Sequence, residues 1–364
     1  MTQSTPAPIL IVGAGVSGLL LAQFLRREGV PFAIFDREEA DVKTRGVGWG
    51  LTLHWSLPQL RTLLPEDLVR RLPETYVDRA AVVDEGRCSG FPFYDLSTGE
   101  LKSATPAAPE SKRIRVSRER FRALLATGID VQWRKIATGY ETVDNGDDPS
   151  SSTITVHFDD GTSHSGRLLV ACDGGSSRIR KSLLEQKAKR RQQPVNGYRN
   201  GNRNGNSGKN DNDGRFLIPV GVMGFRVDCT AAQAQSMRDL DPFFLQGTAS
   251  ATDVFCYFSV LDSPGSPPEK TDGYTIQVVV SWPLRDNARH GLDGDDDHQG
   301  APHAYPTTNE GKLALAAVVR RARPAVLASR RACLDAHEWA RITDESPLLS
   351  RRTPQLEFDE SELL

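Results

Sequence analysis

Three glycines and one acid define the chemistry open to this chain. Gly13, Gly15 and Gly18 stand in G-x-G-x-x-G spacing, and Asp36 follows further along. The first glycine permits a tight turn, the second lets a diphosphate approach the backbone, and the third lets a helix pack against a strand. N–H groups at the start of that helix offer partial positive charge to phosphate oxygens. A carboxylate roughly 20 residues past the glycines accepts hydrogen bonds from ribose hydroxyls. A second chemistry-bearing turn is Asp173-Gly174-Gly175-Ser176-Ser177-Arg178, which resembles the first in design.

These residues need elements to hold them. Ile9 to Val12 is a short apolar run, as expected of a parallel strand buried on both faces. Helical spacing follows as far as Gly29, and Phe32 to Phe35 reads as the next strand, ending on Asp36. Strand, glycines, helix, strand and terminal acid, in that order, form a dinucleotide fingerprint. Arg167 to Cys172 reads as another buried apolar strand, and Ser176 or Ser177 can cap a helix beginning near Arg178. Strand C-termini in open α/β sheets are where ligands bind.

Between the two turns, Leu51 to Leu53 could start a strand or a helix, and His54 reads as a structural histidine. Ser117 can cap a helix over Glu119 to Leu125 with Phe121, Leu124 and Leu125 on one face. Arg113, Arg115, Arg118, Arg120 and Arg122 crowd its start. They form either a solvated basic face or the source of a bidentate contact to a diphosphate. Asp84 to Glu100 reads as short strands and turns. Thr153 to Phe158 alternates before the hairpin signal Asp159-Asp160-Gly161. Phe216 to Val227, Val254 to Val260 and Thr275 to Trp282 are β-rich.

The bulk properties exclude several classes. The chain has 364 residues and a net charge of −2, so it carries no nucleic-acid footprint. Its five cysteines are scattered, without metal-ligand spacing, and read as small hydrophobes of a reducing compartment. Asp295 to Asp297 fit no calcium loop and read as a solvated stretch. The N-terminus lacks a basic leader, and Ile9 to Ala22 is too short to span a bilayer. A cytoplasmic protein without stable membrane association is expected.

The ordered set GxGxxG, Asp36, an arginine in VSRERFRALL, and LLVACDGGSSRIR resembles the FAD-dependent aromatic-hydroxylase-type monooxygenases. RGVGWGLTLHW is similar to the fungal and TetX-like members. The resemblance is good from Pro8 to Leu184, thinner from Arg215 to Pro283, and absent in the tail. It implies an α/β fold, with a Rossmann-like FAD-binding domain and an inserted β-rich substrate domain. It implies that Gly13, Gly15 and Gly18 cradle the FAD pyrophosphate and that Asp36 holds the adenosine ribose, with Arg37 beside it in the cofactor site. Arg118 would contact the flavin nucleotide. Arg45 and Thr52 fall where members place a nicotinamide-facing arginine and a flavin contact. Asp173 and Gly174 would serve both FAD and an incoming NAD(P)H. Oxygen and a small aromatic or enolic molecule would be the other reactants, and no catalytic side chain is identified.

The resemblance implies a FAD-binding part over 1–184 and a substrate domain over 215–283, and the Asn/Gly-rich composition of 185–214 between them reads as a disordered insertion. A polar loop over 284–311 and a helix with an incomplete return over 312–364 would follow. The family's third motif, Gly-Asp followed by Ala-Ala-His-Pro or a variant, would bind the ribityl chain from near residues 310 to 350. After Trp339 the chain instead runs ARITDESPLLSRRTPQLEFDESELL, and Thr343 precedes Asp344. The expectation is an NAD(P)H-driven monooxygenase, shortened or impaired at this anchor. The rivals are a non-catalytic FAD-binding remnant, a flavin reductase-type relative and an NAD(P)-dependent dehydrogenase.

Overall fold

The structure, a computed structural model, describes residues 6–39, 48–143, 153–192 and 220–283. Arg45, most of the Asn/Gly-rich insertion, Asp295 to Asp297, the polar loop and everything expected after it lie outside the described residues. In chain order the first elements are Ile9–Val12 (β1), Val16–Arg27 (α1), Phe32–Phe35 (β2), Gly50–Leu53 (β3), Leu57–Leu63 (α2) and Glu66–Arg71 (α3). Phe93–Asp95 (β4), Leu101–Ser103 (β5), Ile114–Ser117 (β6), Arg118–Leu125 (α4), Val131–Gln132 (β7) and Ala137–Val143 (β8) follow. Next are Thr153–Phe158 (β9), Ser163–Gly166 (β10), Leu168–Ala171 (β11) and Arg178–Gln192 (α5). Val220–Cys229 (β12), Ala231–Arg238 (α6), Phe244–Ala249 (β13), Val254–Asp262 (β14) and Tyr274–Pro283 (β15) complete the series.

The described residues divide into two units. Those within 1–46, 59–72 and 118–217 form the first, and those within 47–58, 73–117 and 218–364 the second. Residues 47–58 and 73–117, expected with the FAD-binding part, thus group with the later β-rich segments.

In the first unit, β11, β1, β2 and β7 form a parallel sheet in that order. All four residues of β1 are buried, as a central parallel strand requires. β10, β9 and β8 make an antiparallel sheet, and Val156 and Phe158 pack with Leu10, Val12, Phe35 and Ile179. Gln23 of α1 donates through Nε2 to the carbonyls of Leu125 and Thr127, at 2.7 and 2.9 Å, tying α1 to the end of α4. β11 corrects the expectation of a fully buried strand. Among the described residues it is an edge strand, and Leu168 is 47% exposed.

The second unit contains a six-stranded sheet ordered β12-β15-β14-β13-β4-β5 and a β3–β6 ribbon. Alternation sorts the sheet's two faces. Phe258, Val260, Ile276, Val278 and Val280 share one face and pack with Ala234 and Met237 of α6. Gln246, Tyr257, Ser259, Gln277 and Ser281 share the other. Thr230 and Gln233 start α6 with a reciprocal capping box, a signal passed over in the sequence.

One buried ion pair closes this unit. Arg238 lies 3.0 Å from Asp78 Oδ2 and donates to Tyr274 Oη at 2.6 Å, while Asp78 Oδ1 accepts the Ala81 N–H. Removing one partner strands the other charge, at a cost of about 3–5 kcal/mol. Asp78→Ala should therefore lower stability by that amount in urea unfolding followed by circular dichroism. An unchanged midpoint would show that the pair does not hold the unit together.

Candidate functional site

The first unit brings both chemistry-bearing turns together. Gly13 has φ +108°, and a β-carbon there would strike the Cys172 carbonyl. A β-carbon on Gly18 would strike the Gly13 carbonyl and come within 3.2 Å of Cys172 Cβ. Two of the three glycines are therefore required by the protein's own backbone. Gly15 differs, because a β-carbon there would meet nothing within 4 Å. It opens α1 as the N-cap, without a side-chain cap and without an acid in the first turn. The orphan N–H groups of that turn suit an anion.

Asp36 borders this opening. Its Oδ2 accepts the Ala14 N–H at 2.5 Å and its Oδ1 accepts the Glu38 N–H at 2.8 Å. The carboxylate is thereby fixed beside the glycine turn, while Arg37 is exposed. Arg122 Nε donates to the Ala14 carbonyl at 2.8 Å, and its Nη2 lies 3.4 Å from Glu38. Arg118 is half-buried, and its side chain makes no hydrogen bond or ion pair with any described residue. Asp173 Oδ2 accepts the Arg178 N–H at 3.0 Å, whereas its Oδ1 is buried without a donor among the described residues. Gly174 follows with φ +82°, and Ser177 Oγ accepts the Arg180 N–H as the expected cap. Burial and the neighbouring Asp173 carboxylate raise the Cys172 thiol pKa, keeping it protonated at neutral pH.

Thr52 lies in the second unit, on β3, where its Oγ1 accepts from Arg115 Nη1 at 2.8 Å. Arg113 and Arg115 are both buried, so they do not belong to a solvated basic face. His54 lies edge-on to Trp55 with ring centroids 6.2 Å apart. The four described cysteines, Cys88, Cys172, Cys229 and Cys256, are free and half-buried. No group of three or more potential metal ligands occurs among the described residues. No described helix is long and apolar enough to cross a membrane.

Arg115, Tyr257 and Ser259 were missed as a group by sequence reasoning. The available signal was alternation: Arg115 sits in the apolar strand IRVS, opposite Thr52 in register.

The parallel sheet with its paired turns is a Rossmann-like nucleotide-binding architecture, accompanied by a β-rich unit. Residues 6–54 match the family described as FAD binding domain. A protein of Arthroderma benhamiae named "Probable FAD-dependent monooxygenase" is 34% identical over 96% of each chain. Their aligned span of 442 positions exceeds the 364 residues here, so that relative carries stretches with no counterpart in this chain. The FAD-dependent monooxygenase dbaB of Emericella nidulans is 35% identical over 78% of this chain and 64% of its own length. The crystal structure of FqzB shares the fold, with a TM-score of 0.50 at 14% identity over 89% of this chain and 62% of that one. The chain belongs to the FAD-dependent monooxygenases.

The glycine geometry generates a contrast. Gly18→Ala should destabilise the protein by several kcal/mol, about the cost of overpacking a rigid site. Gly15→Val, facing open space, should cost only about 1 kcal/mol, the loss of a good N-cap residue. Thermal melts of the two variants without added nucleotide provide the check, and equal melting points would remove the distinction between packing glycine and open glycine.

Proposed function

We propose that the chain catalyses the NAD(P)H-driven hydroxylation of a small aromatic or enolic compound, with FAD as cofactor and O2 as oxidant. The observation that carries the cofactor assignment is the open, uncapped start of α1 at Gly15, together with a second turn whose Asp173 Oδ1 has no donor among the described residues. Gly15 and the first N–H groups of α1 would take the diphosphate, with Arg118 as a charged donor. Asp36, already oriented by Ala14 and Glu38, would accept from the ribose hydroxyls. Asp173 Oδ1, without a donor among the described residues, would gain one from a hydroxyl of the cofactor or of NAD(P)H. These features fit FAD. When bound, FAD supplies the two-electron chemistry with NAD(P)H and the oxygen activation, and the protein's part is to orient it and keep water away.

The visible spectrum of purified protein separates this reading from a plain dehydrogenase, which would carry no flavin absorbance.

Two outcomes are expected. Asp36→Ala should weaken FAD about ten- to a hundredfold, on the scale of charge-assisted hydrogen bonds of about 1.5–3 kcal/mol. An unchanged dissociation constant by fluorescence titration would remove Asp36 from the site. Over a panel of phenols, the ratio of hydroxylated product to NADPH consumed should approach one for at least one member. Ratios near zero throughout would sink the hydroxylase reading.

A further inference from the structure

The carboxyl ends of the four parallel strands carry different groups. In the sheet order β11, β1, β2, β7 these are the Asp173 turn, the glycine turn, Asp36 and Trp133. Phe35 is in register with Gln132, so Asp36 and Trp133, the next residues, leave the sheet side by side. Three backbone bonds clasp them there. The Asp36 N–H donates to the Gln132 carbonyl at 3.0 Å, the Lys135 N–H to the Asp36 carbonyl at 2.8 Å, and the Arg134 N–H to the Glu38 carbonyl at 2.9 Å. Arg134 takes φ +59° in this clasp, a conformation that a residue with a β-carbon keeps only where its surroundings enforce it.

Arg122 backs the indole. Its Cζ lies 5.4 Å from the Trp133 ring, its Nε donates to the Ala14 carbonyl, and its Nη2 lies beside Glu38. The guanidinium thus ties the ring to the glycine turn. Trp133 is only half-buried, and its indole N–H makes no hydrogen bond with any described residue. A tryptophan that served the core would be covered, with its N–H paired. Val131 of the same strand is buried in that way.

The order of these groups matches the order of parts in an adenine dinucleotide. The diphosphate leaves its ribose at C5′ and the base leaves at C1′, on opposite sides of the ring oxygen. With the diphosphate at Gly15 on the β1 side and the ribose hydroxyls at Asp36, the base is directed toward β7. We propose that Trp133 is the stacking platform for the adenine ring and that Arg122 is a positioning residue that holds the indole for it. This rests on the proposed FAD reading and adds the base subsite to it. Every base offers a π-face, so the contact grips the adenosine half without hydrogen-bond readout.

The test titrates the flavin-stripped full chain with FAD and with ADP by calorimetry. Trp133→Leu should weaken both ligands by the same factor, about ten- to a hundredfold, the range for losing one base–aromatic stack. Trp133→Phe, which keeps a ring, should stay within about threefold of wild type. Equal losses in the Leu and Phe variants would give Trp133 a packing role and overturn the proposal. So would a loss for FAD without one for ADP, or no loss for either. Should Trp133→Leu not fold, Trp133→Met is the ringless variant judged by the same outcomes. Arg122→Gln should weaken ADP about two- to tenfold in wild type and less in the Trp133→Leu background, because the two side chains act as one unit. Fully additive losses would overturn the positioning role. Wild-type protein that binds neither ligand at millimolar concentration sinks the cofactor reading and the subsite together, whereas FAD binding indifferent to Trp133 sinks the subsite alone.

Discussion

The near-contact of three backbone points, at Gly13, Gly18 and Cys172, is the constraint on which the first unit rests. The Gly13 carbonyl fills the place of a side chain on Gly18, and the Cys172 carbonyl fills that of Gly13. The start of α1 is thereby pressed between the ends of β1 and β11, and the Cys172 N–H bonds the Val12 carbonyl at 2.7 Å. Asp36 reaches the same turn from β2 through the Ala14 N–H. The C-terminal ends of three parallel strands are thus locked to one helix start by contacts that leave no room for adjustment. Of the three glycines, Gly15 alone faces open space.

The second unit handles polarity differently. Its large sheet buries an apolar face against α6 and turns a row of amides and hydroxyls to the other side. The β3–β6 ribbon meets that polar row, with the Gly50 N–H donating to Gln277 Oε1 at 3.3 Å and Arg115 reaching Tyr257 and Ser259. Asp241 joins a further loop to β13, accepting the N–H groups of Gly90, Phe243 and Phe244 and the Ser89 hydroxyl. Burial raises the pKa of this acid, and those four donors only partly counter the shift. Polar groups inside this unit are positioned by other polar groups rather than left to water.

What could be read from the chain follows the range of the forces involved. β1 and β2 have the expected boundaries because their apolar runs are bounded by glycines and an acid, all local signals. β9 and its Asp-Asp-Gly turn were legible for the same reason. β13 was not, since FLQGTA carries a glycine and buried Gln246 and Thr248, and its strand character comes from pairing with β4 and β14. The exposure of β11 was illegible because an apolar sequence does not reveal whether a neighbour lies on its outer side. Among the crowded arginines, residue type gave no guidance. Arg115 is buried on β6 and Arg113 just before it, where it donates to Thr105 and the Pro106 carbonyl, while Arg118 and Arg122 belong to the helix that follows.

The parallel pairing of β4 with β13 has a consequence for how the protein is made. Phe93 is in register with Gln246, and Asp95 with Thr248, so one pairing of the large sheet joins segments far apart in the chain. On the ribosome, the early strands emerge long before the partners that cover them. Non-local strand pairing of this kind is slow and leaves sticky surface exposed meanwhile. The first unit is interrupted too, at 47–58 and again at 73–117. Neither unit therefore corresponds to a continuous stretch that could be cut out and expressed. Yield in a foreign host should depend on translation speed and chaperone supply more than on the final stability of the fold.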